Sequence, residues 1–339
     1  MHRNRRGVAA LTSLILAALV ATACSSGDEG PQTLTVYSGR SEDLVAPLIQ
    51  QFEDETDIEV SVRYASSTDM AATLREEGAN SPADVFFAQD PASLGAIAEA
   101  GLFSVLPGDL IAGVPSEFSG GDVWVAVSLR SRVLVYDTER LSPADLPDTV
   151  DGLLDPAWGG GRIGVAPGNA SFIAFVSAMI LERGEEGALA FLQGLAANDP
   201  QIFSGNSPIV AAVNDGTVEV GLVNHYYLLG LRSDVGETRA ENHFFTTAGA
   251  ESLVMPAGAG MLGASRNKEA ALRFIEFLLS DTAQEYFVTQ TFEYPAVAGI
   301  ATPEGVPAIE TLAQPSLELS ALAGVLDRAT QLISEAGLL

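Results

Sequence analysis

The stretch LTVYSGRSEDLVAPLIQQFEDETDIEVSVRY, residues 34–64, changes its hydrophobic period twice. LTVYS reads as a buried strand that ends in a Ser-Gly turn. Next, Leu44, Val45, Leu48, Ile49 and Phe52 recur at the spacing that gathers side chains on one helical face. Ser41 stands where an N-cap belongs, and Glu42 and Asp43 suit the positive end of the helix dipole. From Ile58 the pattern alternates, setting Ile58, Val60, Val62 and Tyr64 on one side of a second strand. Strand, helix and strand at this spacing imply right-handed crossovers, a mostly parallel sheet and an α/β class.

The theme continues down the chain. A helix near 68–77 stops at Gly78, ADVFFA (83–88) is a third strand, and PASLGAIAEAGL opens a helix with Pro near its start. WVAVSLRSRVLVYD (124–137) is two strands or one long bent one. RIGVAP is a strand, GNASFIAFVSAMILERG and EEGALAFLQGLAAN are helices, and VEVGLV (218–223) is a strand running into NHYY. MPAGAGMLGAS reads as a Gly-rich apolar strand. NKEAALRFIEFLLSDTAQEYF reads as a helix pair, and 317–336 as a terminal helix.

Arg3, Arg5 and Arg6 precede the apolar run GVAALTSLILAALVA, which ends in ATAC at Cys24. A basic start, a short apolar core and small residues before the break make a secretory signal over 1–23, too short for a spanning helix. Cys24 is the one cysteine, so no internal disulfide forms. A lone Cys closing a signal resembles a bacterial lipobox, which makes Cys24 a lipidation site and 24–32 a polar tether. The net charge is −27, and removing residues 1–23, with three arginines and no acids, gives −27 − 3 = −30. Such a balance repels nucleic acid and suits a cationic ligand or a basic docking surface.

Ligands in open α/β sheets sit beyond the carboxyl ends of strands. YSGRSED, FFAQDP and NHYY fall there. APGNASF and FSGNSPIVAAV are helix starts that offer free N–H groups and a positive dipole end to an anion. Gly-Asn and Ser caps also begin helices for structural reasons alone. The adjacent Tyr226 and Tyr227 are sharper. If the backbone leaves the strand at Asn224 and turns irregularly, both phenol oxygens converge on one point. A hard trivalent cation prefers anionic oxygen donors and stabilises phenolate below the free phenol value of ~10. Alternatively, one tyrosine packs in a core and the other lies on the surface; residue chemistry leaves both readings open.

From LTVYSGRSEDLVAPLIQQFEDETDIEV through EEGANSPADVFFAQD, an upstream GNS and NHYYL to RFIEFLLSDTAQEYF and EYP, the sequence resembles the iron(III)-binding proteins of bacterial ABC importers. The resemblance covers about 33–300. It implies a two-lobed, type II periplasmic-binding-protein clamshell, with 33–130 plus 257–307 in one lobe and 131–256 plus 308–339 in the other. It implies that Tyr226 and Tyr227 ligate Fe(III) as phenolates. Asn169, Ala170 and Ser171, with Asn206 and Asn224, would hold a synergistic carbonate or phosphate. Where some members supply a first-lobe His and Glu, this chain has Ser41 and Gln89, followed by Asp90. Others use a His-Tyr pair and a further Tyr, where this chain has Ser41, Glu42 and Ser171.

Ser41, Glu42, Gln89 and Asp90 therefore stand as candidate metal or outer partners. Arg40, Arg130 and Arg132 would neutralise the anion, unless Arg130 and Arg132 are exposed strand residues. His225, flanked by inward residues, is expected to point away and hydrogen-bond behind the metal. The implied protein is a monomeric, lipid-anchored extracytoplasmic carrier with no catalytic role, serving an ABC permease and its ATPase. One alternative is the same fold binding a small oxyanion or organic anion. Another, a hydrolase using Ser and His225, lacks a G-x-S-x-G elbow.

Overall fold

The computed structural model describes residues 32–339, so the signal segment expected over 1–23 and the lipidation expected at Cys24 lie outside the described residues. The opening stretch folds as its periodicity demands. Strand β1 (Thr33–Ser38) pairs in parallel with β2 (Glu59–Tyr64), and α1 (Glu42–Thr56) crosses between them. The apolar face of α1 buries Val45, Leu48, Ile49 and Phe52. Phe52 meets Phe274 edge-on at 5.1 Å between ring centroids. Full burial of such a side chain stabilises by about 1.5–3 kcal/mol.

The next elements are α2 (Ser67–Glu77), β3 (Val85–Ala88), α3 (Pro91–Glu99), the short α4 (Gly108–Ile111) and β4 (Val125–Asp137). They are followed by β5 (Ile163–Val165), α5 (Ala170–Ala197), β6 (Gln201–Ile202), α6 (Asn206–Asn214) and β7 (Val220–Asn224). The chain then forms α7 (Tyr226–Val235), β8 (Ala240–His243), β9 (Val254–Met261), α8 (Lys268–Leu278), α9 (Asp281–Thr289), β10 (Tyr294–Pro295) and α10 (Leu326–Glu335). Gly184, at φ 73°, breaks α5 into the two helices read from sequence. A 3₁₀ stretch over Leu319–Val325 precedes α10, so only the second part of 317–336 is α-helical.

The strands run in the order β2-β1-β3-β9-β4-β7-β5-β6, with β8 and β10 both pairing β4. The sheet is less parallel than expected. Pairs β1–β2, β1–β3, β5–β6 and β5–β7 are parallel, whereas every pairing of β4 and β9 is antiparallel. The reason is visible in β4, a single continuous strand. Its residues Val125–Ser131 pair with β9, and from Arg132 it pairs with β7 and then β8. Strand β4 thus joins a first half of the sheet (β1, β2, β3, β9, β10) to a second half (β5 to β8), with the changeover between Ser131 and Arg132. Among the described residues, no helix is long and apolar enough to cross a membrane.

Candidate metal site

The pair Tyr226–Tyr227 does not sit in an irregular turn, as expected, but opens a regular helix. β7 ends at Asn224, His225 already has right-handed helical torsions (φ −57°, ψ −39°), and Tyr226 is the first residue of α7. The two rings nevertheless come together, stacked with centroids 4.2 Å apart and planes inclined by 29°. Tyr226 is buried, Tyr227 half-buried. The hydroxyl of Tyr226 is buried and has no hydrogen-bond partner among the described residues. Burial first, and the neighbouring Tyr227 second, push its pKa well above the ordinary phenol value, against the pull of Arg130. An unpaired buried hydroxyl costs about 1–3 kcal/mol, a penalty that a bound partner would relieve.

Both tyrosines line a cavity of about 350 Å³. From the second half it also takes Ser207, Leu231 and Asp234, and from the first half Ser41, Asp43, Leu44, Gln290, Thr291 and Phe292. Ser41 is therefore at the cavity wall, leaving α1 without a side-chain cap. Glu42 is exposed and does not line it; its neighbour Asp43, legible in the sequence only as a first-turn acid, does. Gln89 and Asp90 are absent from the wall as well. Asp90 is consumed as the N-cap of α3, accepting from the Ser93 N–H at 2.7 Å and its hydroxyl at 3.0 Å.

Behind the tyrosines the second half is a hydrogen-bonded polar network. Asn169 caps α5, its Oδ1 accepting from the N–H of Ser171 (3.0 Å), the Ser171 hydroxyl (2.6 Å) and Nδ2 of Asn206 (3.2 Å). Ala170 is the first residue of that helix. Arg132 donates to Ser171 Oγ at 3.3 Å and to Asn224 Oδ1 at 3.1 Å. Its Nη2 and Nδ2 of Asn224 have no partner among the described residues. The structure thus brings Asn169, Ser171, Asn206, Asn224 and Arg132 together, behind rather than in the cavity wall.

Arg130 and Arg132 are buried, not exposed strand residues. Burial pulls the Arg132 guanidinium down to about 9, with Tyr227 and Tyr226 acting in the opposite sense, so it keeps its charge at neutral pH. Burial likewise lowers Arg130. The partner of Arg40, and the acid nearest Arg130, is Glu293, which opens the EYP motif. Arg40 grips both its oxygens, at 2.8 and 2.5 Å, Thr291 donates a hydroxyl at 2.9 Å, and Arg130 approaches to 3.8 Å. Burial alone would raise the Glu293 carboxyl, but Arg40 holds it below the usual range.

His225 is spoken for on every polar atom. Its Nδ1 accepts from the Ser131 N–H at 3.2 Å, so the ring hydrogen sits on Nε2, which donates to the Phe292 carbonyl at 2.9 Å. Its backbone N–H donates to the Ser131 carbonyl at 3.1 Å, and its own carbonyl accepts from Asn242 at 2.8 Å. Burial lowers the imidazole pKa to about 4. Neutral and fully engaged, it has no lone pair for a metal.

Among the described residues no three His, Cys, Asp or Glu gather as a metal cluster. A family model of bacterial extracellular solute-binding proteins matches residues 47–314. The chain belongs to that family. The major ferric iron-binding protein of Neisseria meningitidis serogroup B is 31% identical to this solute-binding protein over 328 residues, 95% of this chain and 98% of that one. The Fe(3+)-binding periplasmic protein of Serratia marcescens is 31% identical over 337 residues, 98% and 97% of the two chains. Iron-bound HitA from Pseudomonas aeruginosa superposes with a TM-score of 0.86 at 32% identity, over 91% of this chain and 100% of that structure. This solute-binding protein falls on the ferric-binding branch and has its two-lobed type II α/β fold.

Proposed function

We propose that this chain is the substrate-binding component of a ferric-iron ABC importer, with Fe(III) as its cargo in the cavity lined by Tyr226 and Tyr227. The observation that carries the reading is the stacked pair itself, with one hydroxyl buried and unpartnered. As phenolates the two oxygens are hard anionic donors, the type a trivalent ion selects. The bound ion supplies the charge that keeps them deprotonated near neutral pH, and loading releases protons.

Two phenolates leave a trivalent ion with charge to spare, beside buried Arg132. A carbonate or phosphate supplies the missing negative charge, held by the α5 N-terminus, Ser171, Asn206 and the unpartnered groups of Arg132 and Asn224. From the first half, Asp43 and Ser41 face the same cavity and complete the oxygen set directly or through water. The lobes are 33–130 plus 257–307 and 131–256 plus 308–339. They close about β4, where cargo that binds the closed form better drives closure. Export by the signal segment and lipidation at Cys24 place the carrier outside the cytoplasmic membrane, where it serves a permease and ATPase.

Metal-free protein is titrated with Fe(III)-citrate while a visible phenolate-to-iron charge-transfer band is followed, and the titration is repeated with Tyr226→Phe and Tyr227→Phe. A band in wild type that fades in each variant supports the reading. Colourless protein that binds phosphate or an organic acid tightly favours an anion cargo instead, which the buried arginines would also suit.

A further inference from the structure

We propose that His225 is the positioning residue of the tyrosine pair, a strut whose two ring nitrogens tie the start of α7 to both the changeover point of β4 and the first half of the sheet. The assignment rests on the ferric reading above and adds to it what aims the phenolates.

The partners of the ring carry the argument. Ser131 is the last β4 residue that pairs with β9, and Arg132 the first that pairs with β7. The Ser131 peptide is thus the junction between the halves, and both its N–H and its carbonyl bind His225. The other nitrogen reaches Phe292, between α9 and β10 in the first half. Phe292 has φ 57°, in the left-handed region that a bulky residue adopts only when its surroundings hold it there. The residue after Phe292 is Glu293, which clamps Arg40 and lies 3.8 Å from Arg130. The residue after His225 is Tyr226. One imidazole therefore joins the peptide preceding the metal donors to the peptide preceding the carboxylate that balances the arginines.

Packing keeps the ring from swinging. It lies 4.8 Å from Tyr294, 5.8 Å edge-on from Tyr226 and 6.3 Å from Phe244, centroid to centroid. A side chain held by two hydrogen bonds and three rings fixes the torsions of the neighbouring residue. In this chain that neighbour carries the buried phenol. Groups that orient a metal ligand from behind typically contribute about 10–100-fold in affinity.

Three variants separate the parts of the strut. His225→Asn keeps an acceptor near the Nδ1 place and loses reach to Phe292. His225→Gln offers both an acceptor and a donor, and His225→Ala offers neither. Each protein is loaded with Fe(III)-citrate, its charge-transfer band is recorded, and release of iron to EDTA is timed beside thermal unfolding of the metal-free form. Expected are a shifted band and release faster by about 10–100-fold in His225→Ala and His225→Asn, with His225→Gln near wild type. Ala and Asn variants that melt as wild type and keep its band and release rate overturn the assignment. Should His225→Ala fail to fold, equal release rates from the Asn and Gln variants overturn it. Wild-type protein without a band overturns the ferric reading and the assignment with it.

Discussion

The two walls of the cavity are built on opposite plans. Behind the second-half wall Asn169, Ser171, Asn206, Asn224 and Arg132 are cross-linked by hydrogen bonds, and the tyrosine rings are stacked in front of them. The first-half wall is finished only in depth, where Arg40, Arg130, Thr291 and Glu293 are locked together. At its mouth Ser41 and Asp43 are solvent-exposed, and Glu42 beside them is turned out of the cavity. One side presents a buried, preformed face, the other an exposed rim. Side-chain geometry is fixed around the stacked tyrosines and left open at the exposed Ser41 and Asp43.

The contrast can be broken at its deep layer first. Glu293→Gln leaves the buried Arg40 and Arg130 without their carboxylate. Chemical denaturation should show a loss of about 3–5 kcal/mol, the cost of removing one partner of a buried pair. A variant as stable as wild type would mean that the deep layer is not the keystone of that wall.

Acid is the next largest lever. The folded pKa of His225 is depressed to about 4 from an unfolded value near 6.5. Its contribution is therefore complete above 6.5 and is lost as pH falls toward 4. The loss amounts to about 3 kcal/mol at 1.36 kcal/mol per unit. Unfolding free energy of metal-free protein measured between pH 7 and 4 should follow this fall, and His225→Gln should flatten it.

How far these features were legible in the sequence follows from the range of the forces involved. The period switch in 34–64 reports local burial, so β1, α1 and β2 were readable, as were Gly78 and the helix break at Gly184. The antiparallel course of β4 and β9 was not, because it depends on which half each strand must bridge. Tyr226 and Tyr227 stood out as neighbours in sequence. Glu293 and Phe292 did not, since their partners Arg40 and His225 lie far off along the chain. Asp90 read as an available acid, yet the demand of α3 for an N-cap takes it up.

The cavity itself compares the tyrosine grip with the rim. Tyr226→Phe removes a proposed direct donor and should weaken iron retention by about 100-fold or more, about 2.7 kcal/mol being the upper end of what groups behind a ligand contribute. Because its raised phenol is protonated through the neutral range, wild-type affinity should also fall about tenfold for each unit the pH drops, for the proton that loading displaces. Asp43→Asn should cost only a fewfold change in release rate, about 1 kcal/mol or less, as befits an exposed charge. A larger loss from Asp43→Asn than from Tyr226→Phe would reverse the roles of the two walls.

The central claim is that two adjacent phenolates hold the ion, and resonance Raman spectroscopy of iron-loaded protein tests it most directly. Excitation within the visible band should enhance tyrosinate ring modes from two distinct residues, one set vanishing in Tyr226→Phe and the other in Tyr227→Phe. Iron-loaded protein without enhanced tyrosinate modes, or with modes that survive both substitutions, would contradict the account.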